Sequence, residues 1–253
     1  MRQTIWLGLL LGCLVLSGPA ESQGQPLKVF VLAGQSNMVG ARAVPDELSE
    51  SLRGSQESAL FFDGNAWVPL APGVSERKGF GPEISFAHSM STALKEPVGI
   101  IKLSYGGTSL AERWNPADSK SLYAELVKRV RAARQTRRIE IIGMLWMQGE
   151  RDSKDPVMAA AYAKNLADFI RHARQDFANA DMPFVVGRVN PPEPEFPHVE
   201  QVRKAQEECA ATHYAFIDCD TLPKGADNLH YDTKGLVMMG RRFASAMLKL
   251  LAP

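Results

Sequence analysis

The sequence has little cysteine, almost no net charge and, beyond its first twenty residues, no long apolar run. Only three of its 253 residues are cysteine, and 29 basic side chains stand against 28 acidic ones. This balance gives no electrostatic reason to expect binding to nucleic acid or to an anionic membrane surface. What remains is an ordinary globular composition, 45% hydrophobic and 23% charged, which is enough for one sizeable core.

The N-terminus is the exception to this pattern. In "MRQTIWLGLLLGCLVLSGPA" a single positive charge, Arg2, precedes a mostly apolar run and then small residues, which is typical of a secretory signal peptide cleaved after Ala20. A buried first helix or a retained anchor is the alternative, but the run is short for a membrane span. "LLGC" resembles a bacterial lipoprotein signal, yet the apolar run continues past Cys13, which argues against lipid attachment. We therefore expect residues 1–20 to be removed and 21–253 to form one secreted or periplasmic domain, without stable membrane insertion.

The two cysteines of the mature chain are predicted to be free. Cys209 lies near the end of a predicted helix and Cys219 at the far end of the strand that follows it. Strand rise alone would separate Cys219 from the intervening turn by roughly 15 Å. The Cα atoms of a disulfide must lie within about 7 Å of each other. We expect two free, mostly buried thiols.

Apolar runs alternate with amphipathic segments along the whole mature chain. Strands are predicted at 27–33, 98–104, 139–146, 183–189 and 214–219, and helices at 82–95, 119–135, 156–178, 198–212 and 232–251. Several strands are apolar at successive positions, as in a parallel sheet covered on both faces. The pattern predicts an α/β fold, a three-layer α/β/α sandwich around a five-stranded doubly wound parallel sheet. The polar segment 41–78 interrupts it, with a small hairpin expected at 60–70.

Polar residues that can bind ligands or take part in catalysis follow each predicted strand. The segments are "GQSNM" (34–38), "YGGTS" (105–109), "MQGERD" (147–152), "NPPEPE" (190–195) and "DTLPKGADNLH" (220–230). Ligands of open α/β sheets bind at the carboxyl ends of the strands, so these segments are expected to share one edge of the sheet.

Ser36 is a candidate nucleophile that needs a base. It is not in a G-x-S-x-G sequence, so the nucleophile elbow of α/β-hydrolases is absent. Of the five histidines, His230 alone follows the last strand in a loop, with Asp227 three residues before it. That spacing lets the carboxylate reach the imidazole Nδ1 and leave Nε2 for the serine hydroxyl. From spacing alone, Asp227 capping a turn and His230 packing in the interior remains an alternative.

Acyl transfer also needs donors for an oxyanion. The backbone N–H groups of Gly106 and Gly107 and the Gln148 amide are candidates at two other strand ends. Each is weak alone, since a Gly-Gly pair is commonly a turn and a glutamine commonly a polar cap. Their arrival at the same edge of one sheet makes a shared site the better interpretation.

The ordered set of motifs resembles the SGNH-hydrolase superfamily, most closely its sialate O-acetylesterase-like and acetyl xylan esterase branch. The motifs are "GQSNM", "GPEISFAHSM", "SYGGTSLAERW", "LWMQGERD" and "DNLH". The resemblance covers residues 27 to 250. It implies Ser-His-Asp catalysis on acetyl esters of sugars, with no metal and no other cofactor. Carried over by position, Ser36 is the nucleophile, His230 the base and Asp227 the orienting acid.

The resemblance also implies an oxyanion hole. It would consist of the Ser36 N–H, a glycine N–H (Gly107, with Gly106 as the alternative) and Gln148, which stands where many members have asparagine. Glu150, two residues further on, is a second carboxylate that could share or replace the acid role.

Two residues are expected at the substrate rim, Arg151 and Trp114. Position 151 is usually small in this branch, so the arginine leaves sugar preference open; its simpler interpretation is a surface arginine paired with Asp155. Asp152 is interpreted as structural.

Two other functions remain open at this point, an inactive carbohydrate-binding module and an SGNH lipid esterase or thioesterase. Against the first, every chemical position is filled. Against the second, the loops carry groups suited to a polyol, among them Trp114, Asn115, Arg188 and Asn190.

Overall fold

The computed structural model describes residues 25–75 and 79–252, and the predicted signal peptide lies outside these ranges. The described residues form seven strands: β1 (Leu27–Gly34), β2 (Gln56–Phe62), β3 (Trp67–Leu70), β4 (Val98–Ser104), β5 (Ile139–Met147), β6 (Phe184–Gly187) and β7 (Tyr214–Ile217). Their α-helices are α1 (Ser36–Val39), α2 (Glu50–Arg53), α3 (Glu83–Leu94), α4 (Leu122–Thr136), α5 (Pro156–Asp176), α6 (Val199–Glu207) and α7 (Thr233–Leu251). All five predicted strands and all five predicted helices are therefore confirmed, with small differences at their ends.

The strands form one sheet in the order β3-β2-β4-β1-β5-β6-β7. Every neighbouring pair is parallel except β2 and β3, which are antiparallel. The α/β class and the doubly wound arrangement are confirmed. The predicted count of five strands is two short, because the hairpin expected near 60–70 does not stand apart from the sheet. Its first strand pairs in parallel with β4, from Ala59 opposite Val98 to Phe61 opposite Ile100.

Helices cover both faces of the sheet, and β5 shows how. Successive strand residues point to opposite faces. A Cβ at Gly143 would meet Met247 of α7, whereas three residues on the Trp146 ring packs against Phe169 of α5, with centroids 4.4 Å apart. α3 packs on α7 on the first face, and α5 and α6 adjoin on the second. Asp232 caps α7 as predicted, its Oδ1 accepting the Gly235 N–H at 2.7 Å.

The register of the three central strands sets the position of the site. Gly34, the last residue of β1, lies opposite Ser104 at the end of β4 and opposite Met147 at the end of β5. The loops after these strands therefore begin at the same level of one edge. β1 is also where the strand order reverses direction, which is the usual binding crevice of open α/β sheets.

The cysteines and the described helices bear on two further expectations. Cys209 and Cys219 are both free; Cys219 is buried, as predicted, and Cys209 is half-buried just beyond the end of α6. Among the described helices, none has the length and apolar character needed to cross a membrane.

Candidate active site

Ser36 stands immediately beyond the central strand and begins the four-residue helix α1. Gly34 has φ of +151°, and a Cβ there would lie 2.1 Å from the Met147 carbonyl oxygen, so only glycine lets β1 end this close to β5. The Gln35 N–H donates to that same carbonyl at 2.9 Å. This turn fixes Ser36 at the sheet edge, where its hydroxyl makes no hydrogen bond to another residue of the described ranges.

A cavity of about 360 Å³ opens beside Ser36. Its lining comes from the loops after β1, β4 and β5 and from two later loops: Gln35, Ser36, Gly106, Gly107, Glu150, Arg151, Lys154, Phe196, Leu229 and His230. A larger depression of about 760 Å³ lies at the C-terminal end of α5, but its lining is mainly alanine, arginine and amide side chains. Of these two cavities, the smaller one contains both a hydroxyl and an imidazole, so it is the candidate active site.

His230 is held by the carboxylate predicted for it. Its Nδ1 lies 3.0 Å from Asp227 Oδ2, while Asp227 Oδ1 accepts the backbone N–H groups of His230 at 3.0 Å and Leu229 at 3.1 Å. Arg42 donates through Nε to Oδ2 at 2.9 Å, and its Nη2 lies 2.8 Å from the same oxygen. Asp227 thus joins the loop that carries the imidazole to the segment that follows α1.

The environment of Asp227 keeps it ionised. Burial acts to raise its pKa, but the hydrogen bonds from His230, Leu229 and Arg42 outweigh that effect and hold the pKa well below its usual range. An ionised carboxylate can only accept hydrogen bonds, so the shared proton resides on Nδ1 of His230. Nε2 is then left as an acceptor on the ring, which is what a general base for a serine hydroxyl requires.

Glu150 has the opposite environment. It is almost fully buried; its Oε1 accepts from Asn37 Nδ2 at 2.7 Å, and its Oε2 has no hydrogen-bond partner in the described part of the chain. Burial raises its pKa, although the Asn37 hydrogen bond and the charges of His230 and Lys224 act in the other direction. The carboxylate that contacts Nδ1 is Asp227, and Glu150 lies along another wall of the same cavity.

The prediction that Gln148 donates to an oxyanion is wrong. Its side chain is completely buried and does not line the cavity. Both hydrogens of its amide are engaged, because Nε2 donates to Asp152 Oδ2 at 2.6 Å and to the Thr108 carbonyl at 2.9 Å. Gln148 continues the direction of β5 into the interior, where it also contacts the Tyr162 hydroxyl.

Asp152 has the structural contacts expected of it. Besides Gln148, its carboxylate accepts the N–H groups of Leu110 at 2.9 Å and Ala111 at 3.1 Å. The loop after β4, which contains both candidate glycines, is therefore held to the loop after β5.

The prediction that Trp114 lies at the substrate rim is also wrong. The ring is fully buried, its Nε1 donates to Thr108 Oγ1 at 2.9 Å, and it packs edge-on against Trp146 with centroids 5.2 Å apart. Arg188 does not reach the cavity either, since it forms ion pairs with Asp218 and Glu207. The fit to a polyol therefore cannot rest on these two residues.

Arg151 does line the cavity and is exposed, as expected for a rim residue. The alternative, an ion pair with Asp155, is not formed within the described ranges; Asp155 instead caps α5 by accepting the N–H groups of Val157 and Met158 at 2.9 Å. Next to Arg151, Lys154 lies 4.4 Å from the centroid of the Phe196 ring.

Ser36 and the two glycines predicted to supply backbone donors line the cavity. Gly107 has φ of +69° and open space where a side chain would be, and a Cβ at Gly106 would lie 3.7 Å from that of Ser36. The N–H groups of Ser36 and Gly107 donate to no acceptor within the described ranges. Gln35 is a lining residue that the sequence reasoning missed. Its Oε1 accepts the Arg151 N–H at 3.2 Å. Its Nε2 donates to no acceptor in the same ranges.

The remaining missed lining residues are Lys154, Phe196 and Leu229. Lys154 and Phe196 lie 42 positions apart in loops with no motif of their own. Only the position of Leu229, directly before His230, could have pointed to it.

Residues 26–249 match the carbohydrate esterase family described as sialic acid-specific acetylesterase. The chain belongs to this family of carbohydrate esterases. It is 28% identical over 248 residues to a probable carbohydrate esterase of Arabidopsis thaliana, with 90% of this chain and 93% of that protein covered.

Solved structures show the same fold for this carbohydrate esterase. The structure of the Arabidopsis protein matches with a TM-score of 0.77 at 26% identity, covering 88% of this chain and 98% of that one. A carbohydrate acetylesterase of Xanthomonas citri matches with a TM-score of 0.67 at 18% identity, covering 88% of this chain and 56% of that one. An acetylxylan esterase of Geobacillus stearothermophilus matches at 0.51 and 13%, covering 87% and 94%. The resemblance to SGNH-type carbohydrate esterases is thereby confirmed.

The buried Glu150 predicts a pH-dependent gain in stability on neutralisation. A raised folded pKa means that the unfolded chain ionises first as pH rises, so Glu150 costs stability above its ordinary pKa of about 4.3 and costs nothing below it. Glu150→Gln keeps an oxygen for Asn37 and removes that cost. Urea unfolding should show the variant more stable than the wild type at pH 8, with the difference shrinking towards pH 4. A difference that is the same at both pH values would contradict the assignment.

Proposed function

We propose that this esterase is a secreted serine enzyme that removes O-acetyl groups from carbohydrates, such as acetylated sialic acid or acetylated xylan, through an acetyl-enzyme intermediate. The observation that carries the proposal is the cavity lined by both Ser36 and the Asp227-bound His230, beside backbone N–H groups that have no acceptor in the described part of the chain. The family supplies the ester chemistry and the carbohydrate class. Secretion rests on the signal-like first twenty residues, and the single mature domain on the span of the family match.

The first half of the proposed mechanism forms the acetyl-enzyme. Nε2 of His230 takes the hydroxyl proton of Ser36 as Oγ attacks the acetyl carbonyl carbon. The carbonyl oxygen becomes an oxyanion, for which the N–H groups of Ser36 and Gly107 are the donors and Gln35 Nε2 is a third candidate in place of Gln148. His230 then gives the proton to the sugar oxygen as the ester bond breaks.

The second half repeats these steps with water. His230 takes a proton from a water molecule, whose oxygen attacks the acetyl carbon bound to Ser36. Collapse of the intermediate releases acetate and returns the proton to Ser36 Oγ. Throughout, ionised Asp227 holds the imidazole and stabilises its charged form.

The size of the cavity supports a short acyl group. About 360 Å³ must also hold the sugar edge that carries the ester, which leaves no long apolar groove of the kind that a lipid esterase needs. A p-nitrophenyl ester series tests this directly. Acetate should be hydrolysed faster than butyrate, and octanoate slowest; preference for octanoate would favour the lipid esterase, and no turnover the binding module.

Ser36→Ala tests the nucleophile. The hydroxyl makes no hydrogen bond within the described ranges, so the variant should unfold at the same urea concentration as the wild type. Release of acetate from acetylated xylan and acetylated sialic acid should fall by at least about 10³-fold. Near-normal turnover in a folded Ser36→Ala protein would show that another residue is the nucleophile.

The two carboxylates should differ in their effect on turnover. Asp227→Asn no longer holds the required tautomer of His230 and should lower kcat by about 10³–10⁴-fold. Glu150→Gln keeps its contact with Asn37 and should lower kcat by less than about tenfold. The comparison uses p-nitrophenyl acetate with both variants confirmed folded by circular dichroism. A larger loss for Glu150→Gln than for Asp227→Asn would reverse the assignment of the orienting acid.

Arg151 is expected to contribute to sugar binding rather than to chemistry. Its exposed guanidinium lines the cavity and can bind a sugar carboxylate or hydroxyls. Arg151→Ala should raise KM on an acetylated sialic or uronic sugar by about five- to tenfold and leave kcat nearly unchanged. p-Nitrophenyl acetate has no sugar to contact and is the matched control substrate. Equal KM changes on both substrates would return Arg151 to an ordinary surface role.

A further inference from the structure

One oxygen of Asp227 accepts hydrogen bonds from two different side chains. Oδ2 accepts His230 Nδ1 at 3.0 Å, and it also accepts Arg42 Nε at 2.9 Å, with Arg42 Nη2 at 2.8 Å. The other oxygen is occupied by the backbone N–H groups of Leu229 and His230. A guanidinium and the imidazole are therefore bound at once to the same carboxylate oxygen.

Arg42 reaches Asp227 from a distant part of the sequence. It follows Ser36 by six residues, in the segment after α1, and Asp227 is 185 positions further along. A Cβ at Gly225 would lie 3.5 Å from Arg42 Cγ, so the aliphatic stem passes over that glycine. Arg42 is not among the residues that line the cavity, so it reaches the site by its contact with Asp227 and by its charge, not by touching substrate.

Exposure argues against a mainly stabilising role for this ion pair. The Arg42 side chain is 56% exposed and that of Asp227 26% exposed. Exposed pairs of this kind contribute little to folding because water and salt screen them. The same guanidinium still places a positive charge against the oxygen that holds the imidazole, where it offsets the negative charge of Asp227.

We propose that Arg42 is a positioning residue for the His230–Asp227 pair, which fixes the orienting oxygen and keeps the imidazole neutral, and so active as a base, to lower pH. This deepens the proposed esterase function and rests on His230 being its general base. The charged and titratable groups around the imidazole are Asp227 on its own loop, Arg42 after α1, Glu150, Arg151 and Lys154 after β5, and Lys224 ahead of the loop.

The direct test is the titration of the His230 ring signals by NMR, which needs no turnover. The chain has five histidines, and His230→Gln identifies the signal to follow. Arg42→Gln removes the charge and should raise the titration midpoint by about 0.5 to 1 pH unit. Arg42→Lys keeps the charge and should restore the midpoint to within about 0.2 unit of the wild type. Arg241→Gln, at an exposed position on α7, is the control for loss of one positive charge elsewhere.

The pH profile of kcat/KM on p-nitrophenyl acetate gives the second readout. The acidic limb should move upward in Arg42→Gln by the same amount as the NMR midpoint and stay in place in Arg42→Lys and Arg241→Gln. An unchanged midpoint in folded Arg42→Gln, or an equal shift in Arg241→Gln, would overturn the proposal. If Arg42→Gln shifts the NMR midpoint but the wild-type protein hydrolyses no acetyl ester, the esterase function is refuted and the effect of Arg42 on His230 still stands.

Discussion

The geometry of the sheet edge that carries the candidate site depends on the hydrogen bonds of the buried Gln148 amide. Its Nε2 ties the loop after β4, through the Thr108 carbonyl, to the loop after β5, through Asp152. At 3.4 Å it also faces Gln35 Oε1, in the turn that presents Ser36. Leaving such buried groups unpaired would cost about 1–3 kcal/mol each, so the three loops are constrained to one arrangement. A glutamine that does not line the cavity thus fixes the position of Ser36 relative to the glycine loop.

The two carboxylates near His230, Asp227 and Glu150, show how environment changes the protonation of the same kind of group. Asp227 is partly exposed, saturated with donors and ionised, which suits it to holding an imidazolium. Glu150 is buried, one of its oxygens has no hydrogen-bond partner among the described residues, and burial raises its pKa. A group that costs stability in its ionised form persists where it has a function, and Glu150 lines the cavity. Glu150 shares the cavity with His230, but the carboxylate that contacts the imidazole Nδ1 is Asp227.

The sequence was informative about which residues reach the edge and uninformative about where their side chains point. Apolar runs located all five predicted strands, and the parallel register then brought Ser36 and His230 to one cavity. Trp114 and Gln148 were misjudged because a loop position does not reveal whether a side chain faces solvent or core. The parallel pairing of β2 with β4 and the contact between Arg42 and Asp227 join distant segments, which local patterns of hydrophobicity cannot report.

Chemistry and specificity are built from different parts of this edge. Ser36 and the N–H of Gly107 are positioned by buried contacts at the ends of β1, β4 and β5, where a change would disturb the core. Arg151 and Lys154 are exposed, and Lys154 is held through an exposed ion pair with Glu195 at 2.5 Å, whereas Phe196 is buried. Exposed contacts of this kind constrain a loop weakly. Substitutions at Arg151 or Lys154 can therefore change which acetylated sugar fits, since exposed side chains can be replaced without disturbing the buried contacts between the three loops.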